Sequence, residues 1–146
     1  MAAACPLCEG EGGRLVLRAG RLRVIHADEA GFPGFYRLVW NDHVAEFSDL
    51  PAADRAHCME AVAVIEQSMR EHLRPAKINL AALGNMVPHL HWHVVARFDW
   101  DSHFPQAIWG PRQRAVEPPA VARLAVPLAE LDRRVAAAVR TSAGAG

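Results

Sequence analysis

Residues 79–95, NLAALGNMVPHLHWHVV, decide the reading of this chain. His89, His91 and His93 stand at strict alternation, with Leu90 and Trp92 between them and Val94 following. Successive side chains of a strand point to opposite faces. A strand over Val87 to Phe98 therefore sets three imidazoles in one row, about 6.5–7 Å apart, and turns Leu90, Trp92 and Val94 toward a core. That apolar set pins the register, since a one-residue slip would expose all of it. A polar face satisfied by hydrogen bonds suits a single histidine, not three in file. Two chemistries remain. His-x-His can chelate a catalytic metal. Alternatively, one imidazole attacks phosphorus while its neighbours donate to phosphate oxygens. The surroundings favour the second. Gly84-Asn85-Met86-Val87 reads as a tight turn whose successive N–H groups form an anion nest. Asn79 lies one strand earlier and, across a hairpin, can orient an imidazole or bind a phosphate oxygen. No carboxylate cluster sits nearby to hold magnesium.

Outward from this segment the pattern is α+β. Residues 14–26 read as a hairpin split at Ala19-Gly20. Residues 27–34, ADEAGFPG, read as a loop. Phe35 to Trp40 is an aromatic, β-branched run and predicts a buried strand. A long helix is expected from Pro51 to Leu73, with Cys58, Val62, Ile65, Met69 and Leu73 forming one apolar stripe. Cys58 belongs to that stripe and reads as core rather than reactive. Lys77 to Leu83 is a short strand. Residues 99–119 form an extended excursion carrying Trp100, Phe104 and Trp109. A second helix fits residues 126–141, with Leu128, Leu131, Val135 and Val139 on one side. Strands in hairpin-like neighbourhood around one long helix imply a mainly antiparallel sheet in a single domain, residues 1–146.

Composition narrows the function. The chain has 146 residues, is 51% apolar, and balances 16 Lys+Arg against 16 Asp+Glu. A neutral chain offers no general handle for nucleic-acid backbone or anionic membrane. No apolar run approaches the roughly 20 residues of a membrane span, and no secretory leader is visible. Three cysteines, two of them in Cys5-Pro-Leu-Cys8, make no disulfide framework. The expectation is a cytoplasmic protein with one metal or redox pair. A redox role would need a strand before Cys5 and a helix after it, and zinc would need two further ligands, which only histidines can supply.

The ordered motif His-φ-His-φ-His-φ-φ, preceded by Asn79 and the Gly84-Asn85-x-Val87 turn, resembles the histidine triad (HIT) family of nucleotide hydrolases and transferases. RLVWNDHV at residues 37–44 resembles the family's strand and following histidine, and CPLC resembles the opening of many bacterial members. The resemblance implies a five-stranded antiparallel sheet with two helices, extended by homodimerisation. It implies cleavage of dinucleoside polyphosphates, of the diadenosine tetraphosphate type, or of nucleoside phosphoramidates at the α-phosphate. His91 would be the nucleophile forming a nucleotidyl-histidine, with His93 and Asn79 assisting. Asn85, Met86 and Val87 would bind the phosphate and Asp28 the ribose. It also implies a structural zinc held by Cys5, Cys8, His43 and His89, which leaves His91 and His93 for catalysis. No catalytic cofactor is required, and magnesium would accompany the substrate. Phe35 stands where many members carry histidine, for which His103 is the candidate substitute. Met86 stands where Ser or Thr is common. Both features favour the alternative, a nucleotide-binding regulatory module with little turnover. A zinc hydrolase using the histidine row directly is the third reading. Trp40 is expected in the core or a dimer contact, and Trp109 as a base-contacting residue. His26 is a candidate for the nucleoside pocket, His57 and His72 are expected to face solvent, and Arg112 and Arg114 read as a surface pair.

Overall fold

The computed structural model describes residues 4–144, so the expected limits at residues 1 and 146 lie outside the described residues. The elements are α1 (Pro6–Glu9), β1 (Arg14–Ala19), β2 (Leu22–His26), β3 (Phe35–Trp40), α2 (Ala52–Leu73), β4 (Lys77–Ala81), β5 (His91–Arg97) and α3 (Leu128–Gly144). The five strands form one antiparallel sheet in the order β1-β2-β3-β5-β4. The expected α+β class and five-stranded sheet are found. The helix count is three rather than two, because the cysteine segment itself turns once as α1.

Both long helices cover the same sheet face. The α2 stripe is buried in full, at Cys58, Val62, Ile65, Met69 and Leu73. Burial lifts the Cys58 thiol to about 11, which keeps it protonated and inert. From α3 come Leu131, Val135 and Val139, from the sheet Leu22, Val24, Tyr36, Leu38, Trp40 and Val94, and from the segment entering β5 Leu90. Trp40 is thus a core residue. Tyr36 donates its hydroxyl proton to Asp132 of α3 at 2.6 Å, and Arg14 pairs with the same carboxylate. His57 and His72 are half-buried on α2 rather than turned fully to water. No helix among the described residues is long and apolar enough to cross a membrane.

Two strand limits differ from expectation. β4 stops at Ala81, and β5 begins at His91 rather than Val87. Pro88 has no N–H to give a ladder. The N–H of His89 bonds back to Val87 O at 2.8 Å, and that of Leu90 goes to Val44 O at 2.8 Å. His89 is therefore outside the strand.

The other sheet face carries Arg23 and Ile25 of β2, Phe35, Arg37 and Val39 of β3, Asn79 of β4, and His91, His93, Val95 and Arg97 of β5. It is covered at both ends, and between them His91 and Arg37 are half-buried. At one end Leu7 of α1 and Val87 pack on Ile25 and Val39. At the other, Phe32 and Ile108 pack on Phe35 and Val95.

Candidate functional site: an imidazole pair beside a cysteine–histidine cluster

At the α1 end, Cys5, Cys8, His43 and His89 bring one donor atom each to within 4.8 Å of one another. Cys5 Sγ lies 3.3 Å from His89 Nδ1. Cys8 Sγ lies 3.5 Å from His89 Nδ1 and 3.5 Å from His43 Nδ1. Tetrahedral zinc with bonds of about 2.3 Å to sulfur and about 2.0–2.1 Å to nitrogen places S and N about 3.5 Å apart. The donor set and its spacing both fit. The outer contacts fit as well. His89 is fully buried, and its Nε2–H donates to Trp40 O at 2.6 Å, which leaves the Nδ1 lone pair facing the thiols. Burial, opposed by that hydrogen bond, lowers its basicity. Arg23 holds the cysteine segment in place. It is buried and donates to Leu7 O at 2.7 Å, Gly10 O at 3.1 Å and Glu11 O at 3.1 Å. The first two belong to the C-terminal end of α1, where so short a helix leaves carbonyls without partners.

His91 and His93 project from β5 beside this cluster, on one face as expected, with ring centroids 4.9 Å apart. The anticipated row of three is a pair plus an outlier, because His89 has left the strand. His91 Nδ1–H donates to His89 O at 2.6 Å, so its Nε2 keeps a free lone pair. His93 Nδ1 accepts from Arg37 Nε at 3.3 Å, so its Nε2 carries the proton. Burial, reinforced by neighbouring His91 and the charge of Arg37, pushes the His93 pKa down to about 4. His93 is therefore a neutral donor at pH 7. One ring offers a lone pair and its neighbour an N–H, which is the complement needed for attack on a phosphoryl group and for holding its oxygens.

The other expected residues are distributed unevenly. Asn85, Met86 and Val87 form the turn after Gly84, whose φ is +72°. Among the described residues their three N–H groups have no acceptor, as an anion nest requires. Met86 is 95% exposed. Asn79 lies opposite Val95 on the histidine face, yet its Oδ1 accepts from Arg97 Nη1 at 2.9 Å rather than contacting an imidazole. Asp28 pairs with His26 Nδ1 at 2.8 Å and lies 4.0 Å from Arg14, toward α3. No described contact joins it to His91 or His93. His26 is buried on the helix-covered face with its ring edge-on to Tyr36 and its Nδ1 on Asp28. His103 bonds Ser102 and packs on Phe32, one layer from the imidazole pair, and does not take the place of a ring at Phe35.

Two features, Arg37 and the anchor of the excursion, went unread in the sequence, and Trp109, singled out there as a base-contacting residue, lies beside the imidazole pair. Arg37 touches His93 directly, and a single arginine inside an apolar strand is the signal that could have found it. Trp109 comes back from the excursion to place its indole 5.4 Å from the His93 ring, edge to face. The excursion is anchored by a buried pair, Arg97 Nε to Asp101 Oδ2 at 2.9 Å. Burial opposes ionisation of Asp101, but the Arg97 bond and the N–H groups of His103, Phe98 and Phe104 prevail and hold its pKa below the ordinary value. Arg114, expected only as half of a surface pair, donates to Asp101 O and Phe104 O and ties the same segment.

The HIT domain family matches over residues 12–100. No curated protein matches the chain. Among solved structures, a histidine triad protein from Bradyrhizobium japonicum is similar with a TM-score of 0.68 at 26% identity, over 90% of this chain and 91% of its own. One from Marinobacter aquaeolei VT8 gives 0.70 at 23% identity, over 90% and 91%. A Zn-bound histidine triad family protein from Mycobacterium smegmatis shares the fold with a TM-score of 0.56 at 18% identity, over 92% and 88%.

Proposed function

The chain belongs to the HIT domain family, and from that premise we propose that it is a nucleotide hydrolase cleaving dinucleoside polyphosphates or nucleoside phosphoramidates at the α-phosphate. The observation that carries this reading is the hydrogen bond from His91 Nδ1 to His89 O, which leaves Nε2 as a fixed lone pair beside the protonated Nε2 of His93. His91 Nε2 bonds to the α-phosphorus. The bond to the leaving oxygen or nitrogen breaks, and that atom departs with the electron pair, a phosphate oxygen as an anion and an amine nitrogen with a proton taken from solvent. Water then attacks phosphorus, the N–P electron pair returns to His91, and the proton of the water passes to solvent. His93 Nε2–H and the amides of Asn85, Met86 and Val87 hold the phosphoryl oxygens. Asn79 is a positioning residue acting through Arg97, and Asp28 is the ribose-binding candidate.

Cys5, Cys8, His43 and His89 would hold zinc in a closed, four-coordinate site. There the ion would cross-link α1 to the loop after β3 and to the segment entering β5. The reading also takes the chain as one HIT-like domain, magnesium only as a companion of the substrate, and a cytoplasmic setting that keeps the thiols reduced. It includes a homodimer. Leu80 and Leu83, at and beyond the edge strand β4, are exposed there.

Diadenosine tetraphosphate labelled in the α-phosphate and quenched in alkali is expected to leave a nucleotidyl adduct on His91, absent in His91→Asn. Turnover with no adduct, or an adduct on another residue, would overturn the covalent scheme. Binding with neither adduct nor product would make the chain a nucleotide-binding module.

A further inference from the structure

Three arginines stand on the histidine-bearing sheet face, and their surroundings differ. Arg23 has Glu11 at 3.5 Å and three main-chain carbonyls. Arg97 has Asp101, Asn79 and Gln106 O. Arg37, between them and half-buried, has its Nε on His93 and its guanidinium carbon 5.1 Å from the centre of the Phe35 ring. Among the described residues no carboxylate lies within 4.0 Å of it, and neither Nη atom makes a hydrogen bond. Glu29 acts on it through space but makes no ion pair with it. A half-buried guanidinium whose Nη atoms lack a paired carboxylate is costly, and an arriving anion would fill that place. The planar fork of guanidinium suits a phosphate.

We propose that Arg37 binds the phosphate of the departing group, so that the site selects substrates whose leaving group carries its own negative charge. The inference rests on His91 as nucleophile and narrows the substrate class of that reaction. When the Pα–O bond breaks, a phosphate or polyphosphate takes the electron pair and leaves as a stable anion that needs no proton. When a Pα–N bond breaks, the amine must be protonated as it leaves. Arg37 supplies charge at this place but not a proton, since guanidinium does not titrate in the working range. His93, whose Nδ1 is already occupied, donates a hydrogen bond from Nε2 without giving up its only ring proton. The two groups together stabilise an anionic leaving group and do little for an amine.

The test compares kcat/KM for diadenosine tetraphosphate and for adenosine 5′-phosphoramidate in wild type, Arg37→Gln and Arg37→Lys. The ratio of the two is expected to fall by about 100-fold in Arg37→Gln and to recover at least in half of its logarithm in Arg37→Lys. A role confined to orienting His93 would lower both substrates together and leave the ratio within about threefold. That outcome overturns the proposal. Should wild type turn over neither substrate, the hydrolase reading fails, and calorimetric binding of ATP and AMP still decides on Arg37. The Gln variant should lose at least about tenfold more affinity for ATP than for AMP, and equal losses refute the assignment.

Discussion

His89 and His91 are two residues apart, and each gives one ring nitrogen to a main-chain carbonyl. The nitrogen chosen differs. His89, itself fully buried, gives Nε2 to Trp40 O and turns Nδ1 to two thiols, half-buried Cys5 and exposed Cys8. His91 spends Nδ1 on the carbonyl of His89 itself and turns Nε2 to the half-open ledge shared with His93. One side chain type is thus a ligand candidate in one region and a nucleophile candidate in the next, and main-chain carbonyls set which nitrogen is free. The link between the regions is direct, because the carbonyl that fixes His91 belongs to the residue held by the cysteine cluster. Metal binding at one end is therefore expected to sharpen the geometry at the other without taking part in the reaction.

The largest effect should come from separating the two regions by mutation. Cys5→Ser with Cys8→Ser is expected to reduce bound zinc from about one ion per chain to near none. The melting temperature should fall by ~10 °C or more, because binding free energy at a structural metal site is folding free energy. His91→Asn should do the reverse, abolishing turnover by ~10³-fold or more while zinc content stays at wild-type level. Metal analysis and thermal melts on both proteins check this. Loss of zinc in His91→Asn would show that the two regions share ligands and that the comparison is misdrawn.

A smaller effect concerns charge on the open ledge. The His93 pKa is held at about 4 against an ordinary value of 6.5. Between these values the unfolded chain binds a proton that the folded chain refuses, so stability is full above pH 6.5 and is lost as pH falls toward 4. The loss attributable to this ring is on the order of 3 kcal/mol at most. Denaturant unfolding from pH 7 to pH 4 should show a shallower decline in His93→Gln than in wild type. The difference between the two curves isolates His93 from any acid sensitivity of the cysteine–histidine cluster, which both proteins share. Parallel curves would place the ring in water rather than under Trp109 and Phe35.

Much of this was legible along the chain, for reasons that vary with range. β3 was read to the residue, because FYRLVW is bounded by turn residues and carries the strongest strand formers. α2 was read to within one residue, because its stripe recurs over about four turns and only a helix buries all of it. The face shared by His91 and His93 followed from alternation alone. The four cysteine and histidine positions came from family resemblance, since nothing local relates Cys5 to His89 across 84 positions. What escaped reading was long-range or irregular. Arg23 reaching back to α1 and the Arg97–Asp101 anchor depend on where residues 99–119 and the first turn settle, and no periodicity encodes that. The departure of His89 from the strand did have a local sign in Pro88, which the strength of the alternation concealed.

Trp109 gives the smallest and most discriminating test. Its indole is 57% exposed and meets His93 edge to face at the rim of the ledge, so one broad face is available to a planar ligand. A nucleobase stacked there contributes about 1–3 kcal/mol, and it does so equally before and during bond breaking, because the base is remote from the phosphorus. Interactions of that kind appear in KM and not in kcat. Trp109→Ala is therefore expected to raise KM about tenfold with kcat within about twofold of wild type, and Trp109→Phe to recover most of the loss. The other part the indole can play is to shield His93 and keep it neutral. That role would leave KM alone, lower kcat, and move its acid limb upward as the ring regained its ordinary basicity. Steady-state kinetics across pH 5–8 on the two variants separates a base platform from a lid over the imidazole pair, and so decides whether the open ledge is bounded by ligand or by protein on its outer side.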